Sequence, residues 1–273
     1  MIEENHAYSQ IIGSPYTPHL NAIAASGVSL AAMFAVTHPS LPNYLALTSG
    51  STQGATNDCG ACTYGGDNLF HQMEQAHLGW RVYAQGYSGS CNTKAEYGAF
   101  VRRHVPPLAY RNILGDPTAC SRVVPLERLW TDLAANTVPP LAMIIPDLTE
   151  DMHGTPSNSD QSTLLRAADA LAGRVASALR ASPIWEPGTR LVITWDEGGG
   201  ALHEPRISCC GGRSHGGHIP TLVVGPDLPV SVDPADHDTY SLLRSIEDRL
   251  GLPRLGLAAV APSADIAAVS ASR

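Results

Sequence analysis

The chain has 273 residues, 44% of them hydrophobic, and its 25 acidic against 17 basic side chains give a formal net charge of −8. That length and apolar share suffice to bury one large core. An acidic balance without Lys/Arg clusters excludes a phosphate-backbone binder, so no nucleic-acid partner is expected, and an anionic substrate would need a local cation.

In chain order, "MIEEN" opens as an apolar run ending in Glu4 and Asn5. Only two residues precede the acidic pair, which predicts a first strand trimmed at its start, a loosely held Glu4 and a signal peptide absent from this chain. "TPHLNAIAASG" reads as a helix. "VSLAAMFAV" reads as a strand and is too short to cross a bilayer, so no stable membrane anchor is expected. It leads into "THPSLPNYLALTSG", where Ser40 stands as the N-cap, Leu41, Pro42 and Asn43 form the first turn, and Gly50 closes the helix. "DNLFHQMEQAHLG" is a second helix and "WRVYAQG" a strand. "RRHVPP" follows as a basic turn, with Arg102 and Arg103 in solvent. "LAMIIPDLTEDMHG" is a strand that runs into polar residues, and "DQSTLLRAADALAGRVASALRAS" a long helix with a core-packing stripe. "RLVITWDEGGG" and "IPTLVVGP" are further strands, and "DTYSLLRSIEDRLG" the last helix. The alternation predicts an α/β/α sandwich with a largely parallel central sheet, in one domain over 1–273 whose Ala-rich tail covers 258–273.

Six cysteines, Cys59, Cys62, Cys91, Cys120, Cys209 and Cys210, sit in loop-like segments without zinc-finger spacing. At least some of them read as disulfides of a secreted, periplasmic or envelope protein. A Cys91–Cys120 bridge would hold His104 in place. His6, His19, His71 and His77 read as structural or surface residues.

Ligand sites of open α/β sheets lie beyond the carboxyl ends of the strands. Glu4 and Asn5, Ser40, Asp147, and Asp196 with Glu197 all fall at such ends. Carboxylates gathered there repel one another unless a cation sits among them. Oxygen ligands of this kind suit Mg, Ca, Mn or Fe, and Zn also fits. A serine hydroxyl beside that ion becomes a usable nucleophile.

Five blocks in this order, "EENHAYSQIIG", "THPSLPNYLALTSG", "PDLTEDMHG", "TWDEGGG" and "DTYSLLRSIEDRLGLPRLG", resemble the bacterial and fungal phosphoesterase family of the alkaline-phosphatase-like superfamily. That family holds acid phosphatases and non-zinc bacterial phospholipases C. The resemblance implies that Ser40 is phosphorylated and then hydrolysed, and that Glu4, Asn5, Ser40, Asp196 and Glu197 hold one divalent metal. "SLPN" is similar to the "T-F-P-N" of nucleotide pyrophosphatases, which places Asn43 on a phosphoryl oxygen. His104 and His153 match histidines around the phosphate, His38 lies next to the nucleophile at the substrate, and His215 and His218 leave room for a second metal. The implied activity is an acid-phosphatase-like phosphomonoesterase on a small phosphate ester. The alternatives are a phospholipase C or phosphodiesterase of the same family, and a catalytically silent metal-binding protein in which Ser40 only caps its helix.

Overall fold

Each apolar run read as a strand pairs into a sheet, in a computed structural model that describes residues 1–199 and 206–264. The end of the Ala-rich tail and part of the glycine-rich stretch after Glu197 lie outside the described residues. The strands are β1 (Ile2–Glu3), β2 (Val28–Phe34), β3 (Trp80–Ala84), β4 (Glu96–Tyr97), β5 (Phe100–Val101), β6 (Val123–Pro125), β7 (Leu141–Ile145), β8 (Leu191–Trp195), β9 (His218–Ile219), β10 (Thr221–Val224) and β11 (Ser231–Asp238). The helices are α1 (Tyr8–Ile11), α2 (Pro18–Ala24), α3 (Ser40–Ser49), α4 (Leu69–Gln75), α5 (Arg111–Leu114), α6 (Pro117–Cys120), α7 (Glu127–Ala135), α8 (Gln161–Ala181) and α9 (Thr239–Leu250).

One sheet has the order β1-β8-β10-β2-β11, with β9 also on β2, and a second has the order β6-β3-β7. Strand β10 runs against both its neighbours, β9 runs against β2, and the remaining pairings of these two sheets are parallel. The fold is α/β, but where the alternation predicted a largely parallel sheet the layer is mixed, because β9 and β10 run against their neighbours. β1 lies beside β7, and where the two sheets meet the Glu4 N–H donates to the Asp151 carbonyl at 2.8 Å. Glu4 is thereby anchored, against the expectation of a loose end, and its side chain is fully buried.

Helix α2 packs on α8, and α3 on α9. All ten residues of α3 are buried, as befits a helix apolar on nearly every side. Gly50 ends it at φ +67, and a side chain there would strike the Leu255 carbonyl. Asn68, Asp160 and Asp238 cap α4, α8 and α9 with their side chains. Disulfides join Cys59 to Cys62, Cys91 to Cys120, and Cys209 to Cys210. Among the described residues no helix is long and apolar enough to cross a membrane.

Candidate active site

The segment after β2 delivers Ser40 through a turn held by Asn43. The Asn43 Oδ1 accepts from the Val36 and Thr37 N–H groups at 3.1 and 3.0 Å, and its Nδ2 donates to the Thr37 and Pro39 carbonyls at 2.8 and 3.1 Å. Two donors and two lone pairs exhaust a primary amide. Asn43, expected on a phosphoryl oxygen, is thus fully engaged with backbone and shapes the turn instead. Ser40 is the first residue of α3, with Pro39 in the capping position, so it is not the N-cap the sequence suggested. Its Oγ turns from the helix amides and donates to Glu4 Oε2 at 2.9 Å. The Leu41 N–H, in the first turn of α3, donates to Asp58 Oδ1 at 2.9 Å. Gly216 passes so close to Thr37 that a side chain on it would meet the Thr37 carbonyl.

Around Ser40 the carboxylates crowd. Glu4 also accepts from the Tyr44 hydroxyl at 2.5 Å, and Asp196 Oδ1 accepts from the Asn5 N–H at 3.1 Å. Asn5 meets Asp196 through its backbone, in a left-handed conformation (φ +58) that asparagine tolerates. Asp196 Oδ2 and Asp151 Oδ2 are buried without partners. Burial, then Asp196 and Asp151, push the Glu4 carboxyl well above its usual range; burial and Asp196 do the same to Asp151. Asp196 is pushed up to about 7 by burial and by Glu197. His104 is 1% exposed and stacks on Tyr44, and neither ring nitrogen has a hydrogen-bond partner. Burial, with Arg103 and His153 nearby, holds it neutral well below the usual histidine range. Its Nδ1 is 3.4 Å from both Glu4 Oε1 and Asp151 Oδ2. With a neutral ring these approaches are not salt bridges. One ligand atom each from Glu4, His104 and Asp151 falls within 4.8 Å of the others. Neutral imidazole, orphaned carboxylate oxygens and full burial are what a divalent cation requires, so the donor set fits one.

Residues 9–253 match the Phosphoesterase family. The chain belongs to this family. It is 30% identical over 265 residues to a phosphatidylinositol-3-phosphatase of Mycobacterium tuberculosis, covering 96% of this chain and 79% of the relative. It is 25% identical over 248 residues to a phosphate-repressible acid phosphatase of Penicillium chrysogenum, covering 87% of this chain but 55% of the relative. The chain thus spans about half the length of the fungal relatives. Among solved structures, an alkaline phosphatase superfamily protein of Vibrio parahaemolyticus matches with a TM-score of 0.61 at 12% identity, over 93% of this chain and 66% of that one. The lipoteichoic acid synthase LtaP of Listeria monocytogenes matches with a TM-score of 0.62 at 10% identity, over 97% and 74%. These likenesses establish the fold. The named relatives of this Phosphoesterase family member are phosphatases, hydrolases acting on phosphoric ester bonds.

In this phosphoesterase chain the other expected residues divide. Glu197 is buried and its Oε2 meets His38 Nδ1 at 2.5 Å, a hydrogen bond that raises the His38 pKa and leaves the ring half-exposed at the mouth of the site. His153 lies with its ring centroid 5.7 Å from that of His104; its N–H donates to Asp151 Oδ1 and its Nδ1 is committed to the Gly154 carbonyl. Asp147, expected among the strand-end carboxylates, accepts from Thr149 and closes a local turn. His215 and His218, expected at a second metal, meet other groups here: His215 approaches Thr37 Oγ1 at 3.3 Å, and His218 stacks on Tyr8 and Phe34 with Nε2 on the Ala31 carbonyl. Arg102, expected in solvent, is 4% exposed and donates to the Leu108 and Thr93 carbonyls. Sequence reasoning took Asp151 for an N-cap or turn residue and passed over Tyr44 and Asp58. The spacing of Asp151 and His153 in "EDMHG", two residues apart after a strand end, was the available signal for the first.

Proposed function

We propose that the protein is a metal-dependent phosphomonoesterase in which Ser40 is the nucleophile. The observation that carries this is the buried Ser40 hydroxyl, aimed at Glu4 at the start of α3, with unpartnered carboxylate and imidazole groups around it. Glu4, Asp196 and Ser40, with Asp151 and His104 on the far side of Glu4, would hold the divalent ion or ions. When bound, a divalent cation neutralises the carboxylates, stabilises charge on the non-bridging phosphoryl oxygens and lowers the pKa of a nearby hydroxyl.

The residues do the rest. Ser40 Oγ already directs its proton to Glu4 Oε2, so the proton has an acceptor as the oxygen closes on phosphorus and the ester oxygen leaves in line. His153 Nδ1 faces a carbonyl and so carries a proton, which leaves Nε2 for exchange. As a cation it protonates the departing alcohol oxygen; as the neutral ring it takes a proton from the water that cleaves the phosphoserine and restores Ser40. The three disulfides support an exported protein.

The test is p-nitrophenol release from p-nitrophenyl phosphate by metal-stripped protein resupplied with Mg, Ca, Mn, Fe or Zn in turn, with bis(p-nitrophenyl) phosphate and a phosphatidylinositol 3-phosphate dispersion alongside. Ser40→Ala is expected to lose at least about a thousandfold in kcat while keeping its thermal transition. Undiminished activity in a folded Ser40→Ala protein overturns the mechanism. Faster release from the diester favours the phosphodiesterase reading, and no turnover with any ion favours a silent binding protein.

A further inference from the structure

Arg103 and Asp58 remain without a role in that scheme. Arg103 has 16% of its side chain exposed and its Nε is buried without a hydrogen bond. The nearest opposite charge is Asp58 Oδ2 at 3.8 Å, beyond hydrogen-bond length. Arg103 directly precedes His104, whose Nδ1 lies 3.4 Å from Glu4 and Asp151, which sets it next to the cluster already described. The other oxygen of the same carboxylate, Oδ1, accepts from Leu41 N–H at 2.9 Å, and Leu41 directly follows the nucleophile. One carboxylate therefore spans an amide at the positive end of a ten-residue buried helix and a guanidinium that lacks a full partner.

We propose that Leu41 N–H and Arg103 form the seat for the substrate's phosphoryl group, and that Asp58 occupies this seat as an internal anion that phosphate esters and inorganic phosphate displace. This rests on Ser40 being the reacting residue. A carboxylate and a phosphoryl group offer pairs of oxygens at similar spacing, and both are recognised by the planar donor fork of arginine. A phosphoryl dianion carries more charge and three oxygens, so it makes the hydrogen bond to Nε that Asp58 leaves unmade. Asp58 has somewhere to go: its side chain is 33% exposed, and it borders the partly exposed "CGACTYGG" loop closed by Cys59–Cys62. Asp58 also serves α3 as a surrogate cap in the absence of ligand. In a chain of net charge −8, Arg103 adds a fixed positive charge to what a divalent ion would supply for an anionic substrate.

The experiment measures inorganic phosphate binding by calorimetry to cation-loaded protein, in wild type and in Ser40→Ala, and repeats it with Asp58→Asn, Arg103→Gln, Arg103→Lys and the Asp58→Asn/Arg103→Gln pair. KM and phosphate inhibition are read on p-nitrophenyl phosphate. Asp58→Asn keeps an acceptor for Leu41 N–H while removing the competing charge, so phosphate is expected to bind about tenfold tighter and KM to fall in step. Arg103→Gln is expected to weaken phosphate by at least about tenfold, Arg103→Lys by less, and the double variant to lose the gain from Asp58→Asn. Phosphate binding unchanged or weakened in folded Asp58→Asn overturns the proposal and leaves Asp58 a helix cap only. Unchanged binding in Arg103→Gln overturns it equally. Because binding is read in Ser40→Ala as well, a failure of the nucleophile assignment shows as retained turnover, separately from any failure of the seat.

Discussion

Asp151 illustrates how a single buried group has opposite effects with and without a cation. Its Oδ2 is fully buried, unpartnered and 3.4 Å from a neutral imidazole, while Oδ1 accepts from the His153 N–H. In the metal-free protein an ionised carboxylate there is destabilising, since burial pushes its pKa up. Asp151→Asn keeps the acceptor for His153 and removes the charge. The metal-free variant is expected to melt higher than wild type near pH 8, whereas the rise in melting temperature on adding Mn should be smaller in the variant, as followed by calorimetry. A variant that melts lower in both states would show that Asp151 is structural. His104 was legible as a site residue because of its neighbours in the family pattern, yet its pairing with Asp151 was not, since the two are joined only by the fold. Ser40 was legible as a helix start, and its neighbour Pro39 rather than Ser40 took the cap because Asn43 bends the turn around itself.

At the scale of elements, the strand-end rule leads to buried acids where an apolar run stops abruptly, as at Glu4, Asp196 and Glu197. It failed where residues reach the site from loops: Asp58 follows no strand, and Arg102 and Arg103 look alike in sequence although one is plugged into carbonyls and the other faces an acid. Strand β11 was hidden because "SVDPADHD" carries three aspartates and a proline, the composition of a shielded sheet edge with a bulge between Asp233 and Asp236. Helix α9 carries a pH-dependent strap. Glu247 is fully buried, accepts from the Leu255 N–H at 2.9 Å and is pushed up to about 7 by burial. The folded protein therefore holds this proton more tightly than the unfolded chain, whose value is 4.5, so the associated stability is full below 4.5 and is lost as pH rises toward 7. Glu247→Gln lacks this loss and can still accept from Leu255. Its advantage over wild type in urea unfolding is expected to be near zero at pH 4 and on the order of 2 kcal/mol at pH 8. An equal difference at both pH values would refute the linkage.

For the whole molecule, the carboxylates that gather at the sheet's edge come from both sheets: Glu4 and Asp196 from one, Asp151 from the loop after the last strand of the other. A cation held among them would tie the two sheets together, and ligands that bind only the folded state raise its stability by mass action, about 2.7 kcal/mol at a hundredfold excess over Kd. Metal-stripped protein is expected to unfold with non-coincident fluorescence and circular dichroism transitions, and the cation-loaded protein in a single one. Coincident transitions in both states would show that packing alone couples the sheets. The Glu4 N–H bond to the Asp151 carbonyl has a practical consequence here. It lies where the two sheets meet, so its exchange with deuterated solvent would report how often that seam opens, and a slowing of exchange on loading would show how firmly a bound ion holds the halves together.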